Sequence, residues 1–189
     1  LFLLDTIDEY LLNKICLYKN NNFLDITRED IEIIIYDEQS NEDFNEVEEF
    51  YKPIICDLSK LLDNAIEEVR ISRRLVNSPC ILLTKKNGIS PNMERIIRSK
   101  ISFNECVKKV DKRILEINPN HILIHSLYEL YHESTQAFDN IAKLLYETSL
   151  IRCGIPIYRP NEFTDSIYNL MAFCLDIKEE YSKDPDEIE

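Results

Sequence analysis

Residues 77–99 read NSPCILLTKKNGISPNMERIIRS. The stretch enters a strand from a proline turn and breaks at Gly88, one of only two glycines in the chain. It restarts with Ile89, Met93, Ile96 and Ile97 at helical spacing. Ser90 is placed to cap that helix, and Pro91 to take its first position, where a missing N–H costs nothing. A strand followed at once by a helix makes this a mixed domain. The oily side of so short a helix has two uses: packing on a sheet, or binding something else.

Two further runs flank it as strands, EEVRIS at 67–72 and RILEI at 113–117, beside CILLTK at 80–85. NSP is a turn-favouring link between the first two, and Pro119 ends the last. Upstream, Val47, Tyr51, Ile54, Leu58, Leu61 and Leu62 recur every three or four residues. That spacing predicts a helix running to about Asn64, with Pro53 either kinking it or marking its true start. The acidic DEQSNEDFNEVEE at 37–49 reads as a solvated linker or the exposed face of a helix start. Earlier still, LFLL at 1–4 reads as a strand caught in mid-sequence, as in a piece cut from a longer chain. Thr6-x-x-Glu9 is a capping-box pattern for a helix carrying Ile7, Leu11 and Ile15. NNN at 20–22 stops that helix, and FLDI at 23–26 reads as a short strand.

Beyond Pro119 the pattern is helical. Ile122, Ile124, Leu127, Leu130 and Tyr131 mark one helix. Phe138, Ile141, Leu144, Leu145, Thr148 and Ile151, broadened by Ala142 and Leu150, form a wide stripe on the next. Arg152 and Gly154 are its stop signals. Past Pro156 and Pro160, a second stripe follows at Phe163, Ile167, Leu170, Met171, Cys174 and Leu175, before a polar tail. Two helices joined by a short loop cover only one side of each other, so stripes this wide call for a further apolar surface. Either the rest of the domain or a second copy of the hairpin supplies it. Two such hairpins about a two-fold axis make a four-helix bundle.

Composition narrows the function. The 22 basic and 35 acidic side chains give a net charge of −13, which repels nucleic acid and anionic membrane alike. No apolar run approaches the ~20 residues of a membrane-spanning helix. The six cysteines, Cys16, Cys56, Cys80, Cys106, Cys153 and Cys174, contain no CxxC, so reduced, mostly buried thiols are expected rather than zinc or a disulfide framework. His121 and His125 lie one helical turn apart, with His132 further on. A metal site needs a third ligand and an arranged outer shell, so caps or surface histidines are the plainer reading. A small metal-dependent enzyme built on the pair is the remote one. The two glycines sit in no phosphate-loop context, and no nucleophile elbow is present. No active site is legible.

RISRRLVNSPCILLT, NMERI, LEINPNH, LLYETSLIRCG and IYNLMAFCLDI occur in that order. Together they resemble the C-terminal dimerisation domain of the heat-shock protein 90 chaperones. IDEY followed by FLDITRED is similar to that family's junction between middle and C-terminal domains. The resemblance runs from Leu3 to about Ile177. It implies a parent protein that binds and hydrolyses ATP with Mg through an N-terminal domain absent here, so this segment is expected to hold no cofactor and to be no enzyme. Its implied task is homodimerisation through Phe138, Ile141, Leu144, Leu145, Thr148, Ile151, Ile167, Leu170, Met171, Cys174 and Leu175. The helix after the second strand implies contact with unfolded or partly folded client proteins through Ile89, Met93 and Ile97. In the family, Trp and a second Met usually stand where this chain has Ile89 and Ile97, and Ala where it has Pro91. The chain ends DPDEIE, with neither the cytosolic MEEVD, which docks co-chaperones, nor a KDEL-like signal. LEINPNH after a basic KKVDKR is closer to plastid- or mitochondrion-type forms, with cytoplasm and endoplasmic reticulum as the alternatives.

The expected fold is therefore α+β: a small three-stranded sheet packed with helices, then a C-terminal helical hairpin forming a four-helix-bundle dimer interface. The expected divisions are 1–36 (end of the middle domain and junction), 37–66 (acidic linker and connecting helix), 67–135 (mixed α/β part), 136–177 (dimerisation helices) and 178–189 (flexible acidic tail). The competing reading is a standalone helical scaffold that binds a partner protein through an exposed hairpin.

Overall fold

A computed structural model describes residues 6–15, 17–23, 25, 41–85, 88–100, 112–157 and 159–175, with the backbone alone at 6, 7, 10, 13, 41–43 and 97–100. The expected strand at 1–4, the Leu24 and Ile26 positions of FLDI, Cys16, Cys106 and the tail at 178–189 lie outside these. The chain divides into two compact units, residues 1–156 and 157–189. In order, the first holds α1 (Thr6–Ile15), β1 (Leu17–Tyr18), β2 (Asn21–Asn22), α2 (Asn41–Leu61), β3 (Ile66–Ile71), β4 (Cys80–Leu83), α3 (Pro91–Lys100), β5 (Arg113–Ile117), α4 (Ile122–Glu133) and α5 (Thr135–Arg152). The second holds α6 (Pro160–Cys174).

The sheet order is β3-β5-β4, with β5 parallel to β3 and antiparallel to β4. The strand latest in sequence is thus the central one. Every residue of β5 is buried, including Arg113 and Glu116. Register sorts the two faces: Val69, Leu115 and Leu82 lie abreast on one, as do Ile71, Ile117 and Cys80. That face is the core. A register shift between Ile66 and Glu68 lets Ile66 and Val69, three residues apart, both point into it.

Against this face pack α2 through Tyr51, Ile54, Leu58 and Leu62, α4 through Ile124 and Leu127, and α5 through Phe138, Ala142 and Leu150. The helical periodicity is satisfied by that burial. Polar contacts fix the seams: Tyr51 donates to the carbonyl of Pro119 at 3.2 Å, and Tyr131 to Asp57 at 2.8 Å. Ser134 closes α4 and opens α5 in one residue. Its N–H donates to Leu130 O, and its hydroxyl accepts from Ala137 N.

The chain that leaves β3 must cross the end of β5 before returning as β4, and the crossing is stapled to β5 itself. Glu116 projects from the face opposite the core. Its Oε1 accepts from Arg70 Nε at 3.1 Å and Arg74 Nη2 at 3.0 Å, and its Oε2 from Ser72 Oγ at 3.0 Å. Arg74 Nε also lies 3.0 Å from Oε2, a two-point grip. Two residues on, Asn118 Nδ2 donates to the carbonyls of Val76 and Ser78, and its N–H to Pro79 O at 2.7 Å.

Local details depart from the sequence reading. The residues NN of 21–22 are a strand, paired with Leu17 and Tyr18. Lys19 and Asn20 stand at φ 48° and 63°, the geometry of a tight hairpin turn. Leu11 and Ile15 are exposed rather than packed, and Ile122 is 75% exposed. Pro53 does not mark the start of α2, which begins twelve residues earlier at Asn41. Of the described cysteines, Cys80 is buried and Cys153 partly so, but Cys56 and Cys174 are exposed, against the expectation of mostly buried thiols.

Two outcomes follow from these contacts. Glu116→Gln removes the buried carboxylate charge that Arg70, Ser72 and Arg74 share, and is expected to lower the unfolding free energy by about 3 kcal/mol in urea titration; a loss below about 1 kcal/mol means the crossing is held by other contacts. Burial pushes the thiols of Cys80 and Cys153 up from their ordinary pKa. Their thiolate fraction falls, so iodoacetamide should label Cys56 at least about tenfold faster, read by peptide mass spectrometry.

Candidate functional site

The segment from β4 into α3 is built by close approach. A Cβ on Gly88 would lie 2.8 Å from Thr84 Cγ2 and 3.3 Å from Lys85 O, so only glycine lets the chain fold back there. The Gly88 N–H donates to Lys85 O at 2.9 Å, completing the turn. Ser90 then caps α3 as its position foretold: its hydroxyl accepts from Met93 N at 3.3 Å and its carbonyl from Glu94 N at 2.9 Å. Pro91 opens the helix.

Ile89, just before the cap, is 44% exposed. Met93 and Ile96 are half-buried. The side chain of Ile97 lies outside the described residues. The first turn of α3 is bolted to the sheet by a buried ion pair absent from the sequence reading. Arg113, 4% exposed, donates through Nη1 to Thr84 Oγ1 at 2.8 Å and through Nη2 to Glu94 Oε2. At the start of α3, Glu9 of α1 accepts from the hydroxyl of Ser90 and, at 2.8 Å, from Asn92 Nδ2. Arg113 in RILEI and Glu94 in NMERI were visible as charges in apolar settings, the one available signal.

The stripe expected on α5 resolves into two faces. Phe138 is buried in the protomer's own core, with its ring 5.3 Å from that of Tyr131. Leu145 is half-buried against the same core, and Leu144 is half-buried. Ile141, Thr148 and Ile151 are exposed. On α6, Ile167 is half-buried, whereas Leu170, Met171 and Cys174 are exposed, with Leu175 just beyond the helix end. Phe173, which the stripe omitted, is 82% exposed.

The histidines are occupied separately. His121 caps α4, its Nδ1 accepting from Leu123 N at 3.1 Å. His125 Nδ1 sits 3.1 Å from the Tyr51 hydroxyl, and His132 packs edge-on against Tyr128 and Tyr131. Among the described residues, no three His, Cys, Asp or Glu side chains converge as metal ligands. Cys80 Sγ lies 2.9 Å from Ser149 Oγ inside the α5–sheet seam, where the contact joins two elements. What the geometry offers is surface: a helix start with Ile89 open beside it, and outward apolar residues on α5 and on α6.

Comparison with known proteins gives these surfaces a family. The whole chain, residues 1–189, matches the family described as "Hsp90 protein". It is 35% identical over 187 residues to "Heat shock protein 90-5, chloroplastic" of Arabidopsis thaliana, covering 93% of this chain and 23% of that one. To "Endoplasmin homolog" of Catharanthus roseus it is 33% identical over 180 residues, 92% of this chain and 21% of the other. To "Chaperone protein HtpG" of Geobacter metallireducens it is 31% identical over 176 residues, 91% and 26%. It therefore spans roughly a fifth to a quarter of the length of these relatives. With the match running the length of the chain and the motifs lying in order on a three-stranded sheet and its helices, the chain belongs to the Hsp90 family of chaperones.

Proposed function

We propose that the chain is the C-terminal dimerisation segment of an ATP-dependent Hsp90-type chaperone. In this reading, residues 67–135 form its mixed part, 136–177 hold two protomers together, and 37–66 connect to a middle domain whose end lies in 1–36. ATP and Mg belong to an N-terminal domain of the parent protein, and the segment itself catalyses nothing. The observation that carries the reading is the two-faced character of α5. Phe138, Ala142 and Leu150 are spent on the protomer's core, yet Ile141 and Ile151 remain exposed on the same helix. Leu170, Met171, Phe173 and Leu175 add apolar surface at α6. Apolar area left in water loses about 25 cal/mol per Å² relative to burial, and a second copy of the same helices is a self-complementary cover. Tethering at this end keeps the far domains of two protomers at high effective concentration, so their closure becomes nearly intramolecular.

Client contact belongs to Ile89, Met93 and Ile97 in this reading. Met serves such a face because its unbranched, polarisable side chain adapts to varied partners. Relatives named as chloroplastic and as endoplasmin homologues favour an organelle or the endoplasmic reticulum as the compartment.

Sedimentation of the 189-residue chain at tens of micromolar should give a dimer. A monomer there overturns the dimer reading and leaves the scaffold that binds a different protein. Ile141→Asp with Met171→Asp is expected to yield a folded monomer, because charge is then forced into an apolar contact. These positions are chosen over Leu145, which packs against the core. In the parent protein, Ile89→Ser with Met93→Ser should weaken suppression of client aggregation and leave the dimer intact; full aggregation suppression in that variant removes client contact from α3.

A further inference from the structure

The capping-box pattern Thr6-x-x-Glu9 leads one to expect Glu9 to fold back on its own helix. Both of its carboxylate oxygens accept from residues at the start of α3. Ser90 Oγ donates to Oε1 and Asn92 Nδ2 to Oε2. Ser90 is thereby used completely. Its single proton goes to Glu9, while its oxygen accepts from Met93 N in the helix's own first turn. A carboxylate at a helix N-terminus is also where the helix dipole favours negative charge.

α3 is thus held at two places of different kind. The Glu94–Arg113–Thr84 contact is buried and belongs to the sheet. The Glu9 contact is half-buried and comes from α1. Among the described residues, no side chain of α1 joins the apolar core. Both act at the start of α3: Arg113 holds Glu94 from the sheet, and Glu9 holds Ser90 and Asn92, the residues between Ile89 and Met93.

We infer that Glu9 is a positioning residue: its carboxylate clamps the first turn of α3 and sets how Ile89 and Met93 are presented. The inference rests on the reading of α3 as the client-contact helix. It makes α1 the element whose movement would be felt at that face.

Amide hydrogen exchange on the 189-residue chain tests the clamp directly. In Glu9→Ala, the Met93 and Glu94 amides are expected to exchange about tenfold faster, the scale of one lost charge-assisted hydrogen bond, while Leu115 in β5 is unchanged. Glu9→Gln keeps the side-chain length and one carbonyl acceptor, and should restore much of the protection. Unchanged protection at Met93 and Glu94 in Glu9→Ala overturns the clamp. So does equal acceleration at Leu115, which would make Glu9 a general stabiliser. Aggregation suppression by the parent protein separates this from the client reading. If Ile89→Ser with Met93→Ser leaves suppression intact while Glu9→Ala still loosens α3, the clamp stands and the client reading falls.

Discussion

The fold is organised around one buried carboxylate. Glu116 sits near the end of the central strand, 4% exposed, on the face turned away from the core. Taking a carboxylate out of water costs several kcal/mol and is offset only by well-placed charge and hydrogen bonds. Arg70, Ser72 and Arg74 supply these from β3 and the crossing that follows it. The pairing joins residues more than forty apart, because β3 and β4 flank a slot that β5 fills last in sequence. The crossing over the end of β5 therefore gains Glu116 and Asn118 as polar partners when β5 is in place. The same carboxylate that closes the loop marks the correct occupant of the slot.

Position then propagates outward from the sheet. β4 ends at the edge where Thr84 faces Arg113, and Gly88 turns the chain within van der Waals reach of Thr84. Ser90 starts a helix there, and Glu94 reaches back to Arg113 from that helix's first turn. Each step is short-range, yet the last returns to the strand that fixed the first. A helix so placed leaves Ile89 outside the packing because Ile89 precedes the cap. At that point the backbone has not yet begun to wind.

The sequence was legible where a signal is local. Ser90 and Pro91 at the start of α3, and Arg152 and Gly154 at the end of α5, act on backbone groups within a turn of themselves. Gly154 stands at φ 71°, and Ile155 N donates to Leu150 O behind it. The core faces of α2 and α4 were legible because periodicity survives any tertiary arrangement. Sheet order was not, since strand order is set by which residues meet across forty positions of chain. Leu11 and Ile15 misled for the same reason: spacing shows that a helix has an apolar side, not that anything covers it. The hairpin at 17–22 was hidden because Lys19 and Asn20 adopt positive φ without glycine. At the candidate site, Ile89 and Met93 could be found from the break that precedes them. Glu9 could be found only as a capping residue, because its true partners lie 81 and 83 residues away.

The width of the stripe on α5 carried more information than its periodicity. A helix packed on one sheet needs roughly a third of its circumference apolar. Phe138, Ala142 and Leu150 meet that need, with Leu145 at its margin. Ile141 and Ile151 are surplus to it; each lies one residue from a member of the buried set, Ala142 and Leu150, and so about 100° round the helix from it. A single exposed isoleucine is ordinary on any protein surface. Two on one helix, in a chain whose α6 exposes Met171, Phe173 and Leu175, are the surface that the proposed dimer would cover. The sheet and α4 have already used the first face of α5.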